Sequence, residues 1–291
     1  MDTIIFVMTR RCNMNCKCCV DKIRQSKRKS NRDITEEVLG FCKNMGVHHV
    51  ILTGGEPLME DNVFEVVDIF AKEKIETSII TNGSFPEKVE LLKKAGLDNL
   101  FVSMDGITEK THNVIKETNL QSVLKTIAET KRFEINCIIN CIVHKFNYMH
   151  IGEMIQFAMD TKVRDLFFSP FFEEKDYEKE KMGLSIEQWK SCKKDLAFWA
   201  HLYHHENYFQ YWKGLYKSTG QSPKKCKALK KGLVIDETGN IFPCFSREDL
   251  NCGNVSEDGF ESIIDKMQEH AQKICDASCF NEHCMTLEFP F

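Results

Sequence analysis

Three cysteines open the chain's chemistry. Cys12, Cys16 and Cys19 are spaced Cys-x3-Cys-x2-Cys, directly after the apolar run Ile4–Met8. Thiolates are soft ligands suited to iron, zinc and copper(I). Three in one short loop can hold three irons of a four-iron, four-sulfur cluster, which normally takes four cysteines. The remaining iron is then open to bind something that reacts. A second group of thiols closes the chain, at Cys226, Cys244, Cys252, Cys275, Cys279 and Cys284. By spacing alone, a cluster or a zinc site fits this tail equally well, the zinc held by four thiolates or by three with His283.

Four further stretches carry polar groups between apolar runs: Thr53-Gly54-Gly55-Glu56-Pro57, Thr81-Asn82-Gly83-Ser84, Ser103-Met104-Asp105-Gly106 and the lone Asn140. Two adjacent glycines let backbone approach a ligand closely, and a carboxylate beside them can pair with an ammonium. The same residues also read as turns, and Asn140 as a satisfied buried amide. Cys42, Cys137, Cys141 and Cys192 fall inside helix or strand patterns and read as core residues.

These groups need a scaffold. The first half of the chain alternates short β-branched runs with amphipathic helices. Strands are expected at 4–8, 49–52, 77–80, 100–103, 135–143 and 165–168, with helices between them. Thr35 and Asp61 are expected to cap two of those helices. Six such units in series predict a parallel sheet covered by helices, either a barrel or an open doubly wound sheet. In both, functional groups gather at the C-terminal ends of strands, where the cysteine loop lies. After Pro170 a Glu/Lys-rich stretch reads as a solvated linker, and Ser185–Trp199 as a helix. His201 to Trp212 then mixes three histidines with Tyr203, Tyr208, Phe209, Tyr211 and Trp212. It is read either as helix packing at the barrel mouth or as a lid touching substrate. The tail from Lys231 to Cys244 reads as a hairpin turned at Glu237–Asn240.

Composition excludes several classes. With 39 basic and 43 acidic residues in 291, no global charge argues for nucleic acid or an anionic membrane. The basic run Lys22–Arg32 lacks the aromatic interleaving of a base-stacking surface. No apolar run reaches the roughly 20 residues of a membrane span, and acidic Asp2 breaks any signal-peptide pattern. Fourteen cysteines without an export signal point to metal or catalysis in a reducing, cytoplasmic setting.

The cysteine triplet and the Gly-Gly-Glu-Pro, Asn82 and Ser-x-Asp-Gly stretches together resemble the radical S-adenosylmethionine (SAM) superfamily. The resemblance chooses the α/β fold: a partial (β/α)6 TIM-like barrel over 1–170. It implies that Cys12, Cys16 and Cys19 ligate a [4Fe–4S] cluster whose open iron chelates SAM. Cleavage of SAM then gives a 5′-deoxyadenosyl radical that takes hydrogen from an unactivated carbon. Gly54, Gly55, Glu56 and Pro57 would hold the SAM amino group. Asn82 would wall the site, Ser103 and Asn140 would meet the ribose, and Asp105 would face ribose or substrate. Cys18 stands where the family usually has an aromatic residue.

Cys226, Gly239 and Cys244 resemble the opening of the Cys-rich SPASM or twitch domain, expected over 226–291 and joined by helices over 171–225. The resemblance tips the tail toward one auxiliary [4Fe–4S] cluster. Cys226 and Cys244 would be ligands, completed by two of Cys275, Cys279 and Cys284. Cys252 is the candidate hydrogen donor to a substrate radical.

Such enzymes most often modify ribosomally made peptides, by epimerisation, crosslinking or oxidation. The alternative substrate is a carbohydrate or aminocyclitol in antibiotic assembly, to be epimerised or dehydrogenated. A non-catalytic iron–sulfur electron carrier is the reading from another class. A flavodoxin- or ferredoxin-type electron donor is implied. Because the sequence starts at the first strand, a separate leader-binding protein, a short substrate or one that is not a peptide is expected.

Overall fold

The computed structural model describes residues 1–16, 19, 34–116, 118–171, 182–216, 227–245 and 247–275. Strand β1 (Thr3–Thr9) leads through the cysteine loop to α1 (Thr35–Met45). Then follow β2 (His49–Gly54), α2 (Val63–Lys72), β3 (Glu76–Thr81), α3 (Val89–Ala95) and β4 (Asn99–Ser103). The next elements are α4 (Leu120–Arg132), β5 (Asn136–Val143), α5 (Ile151–Thr161) and β6 (Asp165–Pro170). Two helices, α6 (Ile186–Leu202) and α7 (Glu206–Leu215), precede the hairpin β7 (Gly232–Ile235) and β8 (Ile241–Phe242). Helix α8 (Phe260–Cys275) closes the described chain.

The strands form one eight-stranded sheet in the order β6-β5-β4-β3-β2-β1-β7-β8. Strands β1 to β6 pair in parallel with their sequence neighbours, as strand–helix units require. The hairpin joins the same sheet: β7 runs parallel to β1, and only β8 is antiparallel. The C-terminal hairpin is therefore continuous with the barrel wall.

Successive residues of a strand face opposite sides. Ile4, Phe6, Val50, Leu52, Ile79, Leu100 and Val102 meet the helices and form the main core with Val38, Val67, Phe70, Val123 and Ile155. Ile5, Val7, Ile51 and Val234 form a second, smaller cluster on the other face, joined by Ile80 and Phe245. That second face is the inner surface of the partial barrel.

Two expected caps differ. Thr35 is the first helical residue of α1, and its side chain is buried; Ile34 precedes it without a capping bond. Asn62, not Asp61, occupies the cap position before α2. Ser185 does cap α6, in a reciprocal pair with Gln188. The aromatic stretch is not a lid at the barrel mouth. His205 Nε2 lies 2.9 Å from Asp165 Oδ1 at the first residue of β6, the end opposite the cysteine loop. Trp199 Nε1 donates to Leu166 O at 2.6 Å, and Phe167 packs on Trp199, His205 and Tyr208. An edge strand needs cover, and these rings provide it.

Candidate functional site

The cysteine loop leaves β1 at its C-terminal end and is pinned at three successive points. Gly55 N donates to Thr9 O and Glu56 N to Arg11 O, each at 2.8 Å. Asn82 Nδ2 donates to Asn13 Oδ1 at 2.8 Å. Thr9 Oγ1 adds a bond to Glu60 at 2.7 Å and accepts from Arg11 N at 3.0 Å. The glycines are used for this contact. A Cβ on Gly54 would lie 2.1 Å from Thr9 O, and one on Gly55 2.1 Å from Arg11 O. Gly54 also has φ +142, which disfavours any side chain. The close approach expected toward a ligand is thus made first toward the chain itself.

Cys12 is exposed, and Cys16 and Cys19 are half-buried. Cys19 N donates to Cys16 O, which turns the loop back on itself. Partial desolvation, then Glu56 and the other two thiols, hold the Cys12 thiol above its usual pKa. These groups therefore lie near Cys12, but among the described residues no three His, Cys, Asp or Glu side chains converge closely enough to hold a metal ion; what the loop offers a cluster is its three soft thiol donors. Cys18 lies outside the described residues.

Glu56 was expected to meet an ammonium. It is completely buried, and Pro57 beside it is also buried. Its Oε1 accepts from Leu58 N at 3.1 Å and Thr81 Oγ1 at 2.8 Å, and its Oε2 from Asn82 N at 2.7 Å. Burial pushes its pKa up to about 7 against these bonds. The carboxylate ties the end of β2 to the end of β3, and through Asn82 to Asn13.

Further round the barrel, Ser103 and Asn140 are register partners on β4 and β5, so their side chains share a face. Ser169 Oγ on β6 donates to Asn140 Oδ1 at 3.1 Å. This polar band lies on the face opposite the helix-covered core residues Val102 and Ile139, where a ribose could be held.

Asp105 does not face that band. It is fully buried, with Oδ1 accepting from Lys116 Nζ at 3.0 Å and Ile142 N at 2.9 Å. Strand β4 has ended by this point, so the side chain satisfies the next amide of β5 in place of backbone. Asp105 N donates to His112 Nδ1 at 3.1 Å, which leaves His112 Nε2 to donate to Thr118 Oγ1. Asp105 is thus shut off from solvent in an ion pair, and its Oδ2 is buried with no hydrogen-bond partner among the described residues.

In the C-terminal region Cys244 is buried just beyond β8. Cys275 ends α8, while Cys226, Cys279 and Cys284 lie outside the described residues. Cys252 is completely buried in the main core, its Sγ 3.5 Å from Leu250 O, and burial raises its pKa to about 12. Those are the surroundings of a packing thiol, and a donor role would need substrate to reach it through this layer. Among the described residues, no helix is long and apolar enough to cross a membrane.

Residue types alone did not single out Thr9, Arg11, Asn13, Glu60, Lys116 or Ser169. One of them adjoins a quoted motif: Asn13 follows Cys12. Lys116 gives no local signal, because its partner is set by a buried loop.

A profile of the Radical SAM superfamily matches residues 6–158, and one of the SPASM iron–sulfur cluster-binding domain matches 226–285. The second span contains every cysteine of the tail up to Cys284. GTP 3′,8-cyclase of Limosilactobacillus fermentum is 30% identical over 207 residues, 65% of this chain and 57% of that protein. The antilisterial bacteriocin subtilosin biosynthesis protein AlbA of Bacillus subtilis is 24% identical over 294 residues, 98% of this chain and 64% of that protein. The chain thus spans 57% and 64% of the length of these two relatives, less than two thirds of either. The crystal structure of Streptococcus suis SuiB bound to S-adenosylmethionine shares the fold, with a TM-score of 0.72 and 19% identity over 90% of this chain and 65% of that one. A second SuiB structure contains its precursor peptide SuiA and matches over 99% of this chain and 66% of that one, with a TM-score of 0.71 and 17% identity. SAM, a [4Fe–4S] cluster and an auxiliary iron–sulfur centre are the cofactors these two profiles imply, and the cysteine loop has the donor set to suit the first cluster. With that profile spanning more than half of its residues, the chain belongs to the radical SAM superfamily.

Proposed function

We propose that the chain modifies a peptide by removing hydrogen from an unactivated carbon, with epimerisation or with crosslinking or oxidation as the outcome. The observation that carries this reading is the likeness to AlbA, a bacteriocin biosynthesis protein, over nearly the whole chain including the iron–sulfur tail. The likeness to the GTP cyclase extends over only about two thirds of it. The SuiB fold holding a precursor peptide agrees with the peptide reading.

Cys12, Cys16 and Cys19 would hold the cluster that, when reduced, supplies the hydrogen-abstracting chemistry of SAM. The chain's own residues prepare that reaction. Gly54, Gly55, Glu56 and Asn82 fix the cysteine loop, and Ser103, Asn140 and Ser169 offer a polar inner wall to SAM. Cys244, with Cys226 and two of Cys275, Cys279 and Cys284, would hold the auxiliary centre. A low-potential flavodoxin or ferredoxin would reduce the clusters, and the peptide would be presented through a leader-binding element.

The test is incubation of the reduced, reconstituted protein with SAM and candidate substrates. A peptide that loses two hydrogens, or takes up solvent deuterium at one α-carbon without other mass change, would establish the reading. Turnover of GTP or of an aminocyclitol with inert peptides would overturn it. Absence of 5′-deoxyadenosine under all conditions would leave only an electron-carrying role.

A further inference from the structure

The exit of β1 is held from both sides, and only one side belongs to the barrel motifs. Gly55, Glu56 and Asn82 pin residues 9–13 from the β2–β3 side. On the other side lies β7, paired in register from Thr3↔Gly232 to Phe6↔Ile235. An ion pair closes each end of this seam. At the start, Lys231 Nζ and Asp2 Oδ2 are 2.8 Å apart, with side chains 52% and 60% exposed. At the far end, Arg10 Nε and Glu237 Oε2 are 2.9 Å apart, with side chains only 17% and 10% exposed. The first is a solvated pair of small consequence. The second is a shielded, charge-assisted hydrogen bond.

The support beneath Glu237 is rigid. Asp236 Oδ1 accepts from Thr238 N at 2.9 Å, Thr238 Oγ1 at 2.7 Å and Asn240 N at 2.9 Å. Its Oδ2 takes Asn240 Nδ2 at 3.1 Å. Asn254 Nδ2 donates to Thr238 O at 2.8 Å, and Gly239 makes the turn with φ +89. Glu237 therefore sits on a turn whose backbone is fixed by its neighbours. Arg10, which it holds, is two residues before Cys12.

We propose that Arg10 and Glu237 are positioning residues for the cysteine loop. Through them the C-terminal hairpin sets the direction in which the loop leaves β1. The iron–sulfur tail then has a second task besides binding its own centre: it completes the clamp on the loop that carries Cys12, Cys16 and Cys19. The inference does not depend on which substrate the enzyme takes.

The experiment uses the full chain, reconstituted anaerobically. The variants are Glu237→Gln, Arg10→Gln and the charge swap Arg10→Glu with Glu237→Arg. SAM affinity is measured by calorimetry, amide hydrogen exchange over residues 9–16 by mass spectrometry, and the thermal midpoint serves as control. Each single variant should raise the Kd for SAM and speed exchange over 9–16 by about fivefold, the scale of coupling between paired residues. The swap should restore both toward wild type. Kd and exchange at wild-type values in the single variants would overturn the proposal, even with a lowered midpoint, because only a general stability role would remain. Failure of the swap to restore either quantity would also overturn it. Should Glu237→Gln not fold, Glu237→Asp, which withdraws the carboxylate by one methylene, gives the same reading through exchange over 9–16.

Discussion

Two buried carboxylates stand at the ends of β2 and β4, on either side of β3 in the same sheet, and are held in different ways. Asp105, beyond β4, has the ammonium of Lys116 at 3.0 Å, and both side chains are shut off from solvent. Glu56, beyond β2, has no cation among its donors, which are two amides and the Thr81 hydroxyl. Asp105 has its counter-charge in direct contact, whereas Glu56 has only dipoles in contact and Lys88 at longer range, and burial makes it keep its proton to higher pH. The β4–β5 side is thus a fixed strut. The β1–β3 side places a titratable group directly behind the thiol loop, in electrostatic contact with Cys12.

Breaking the strut should have the largest effect. Lys116→Met would leave Asp105 as an uncompensated buried charge and cost about 3–5 kcal/mol of stability, measurable by urea unfolding. The double variant that also carries Asp105→Asn should recover part of that loss. No loss in Lys116→Met would mean that the pair carries no weight and the contrast fails.

The Glu56 side is tested through pH. Its folded pKa, near 7, lies above the ordinary carboxylate value of 4.5. The folded state therefore keeps a proton that the unfolded state releases, so this residue makes stability fall as pH rises from about 4.5 to 7, and the fall ends once both states are ionised. The whole change is at most about 3 kcal/mol. Glu56→Gln carries a constant cost, because its amide faces donors, but it removes that slope. Unfolding free energies of the two proteins across this pH range should converge toward neutrality. Parallel curves would show that Glu56 is ionised throughout.

The smallest effect is expected at Asn82. Asn82→Ala removes the bond to Asn13 and should cost about 1 kcal/mol, with iron lost to a chelator faster from the cysteine-loop cluster. Unchanged iron retention would mean that the backbone pins alone hold the loop.

Much of this architecture was legible in the residues. The strand–helix alternation, the loop position of the triplet and the hairpin at 237–240 follow from local periodicity and turn chemistry, which act over a few residues. What polar groups do at strand ends was not legible, because their partners are distant in sequence. Glu56 read as a ligand group, yet its partners are at 81 and 82. Asp105 read as facing substrate, yet it completes the ladder of β5 at Ile142. The stretch from His201 to Trp212 read as a possible lid, and only the packing of His205 and Tyr208 on Phe167 shows that it covers an edge strand.

By itself the sequence determined the class: the spacing of Cys12, Cys16 and Cys19 sets which irons can be ligated, and covalent spacing survives any fold. Only the tertiary structure decided that the C-terminal hairpin continues the barrel sheet beside β1. That pairing joins residues more than 220 positions apart, Thr3 with Gly232 and Arg10 with Glu237. Hydrogen bonding between strands is specified by shape and burial across the whole molecule, and no local pattern encodes it.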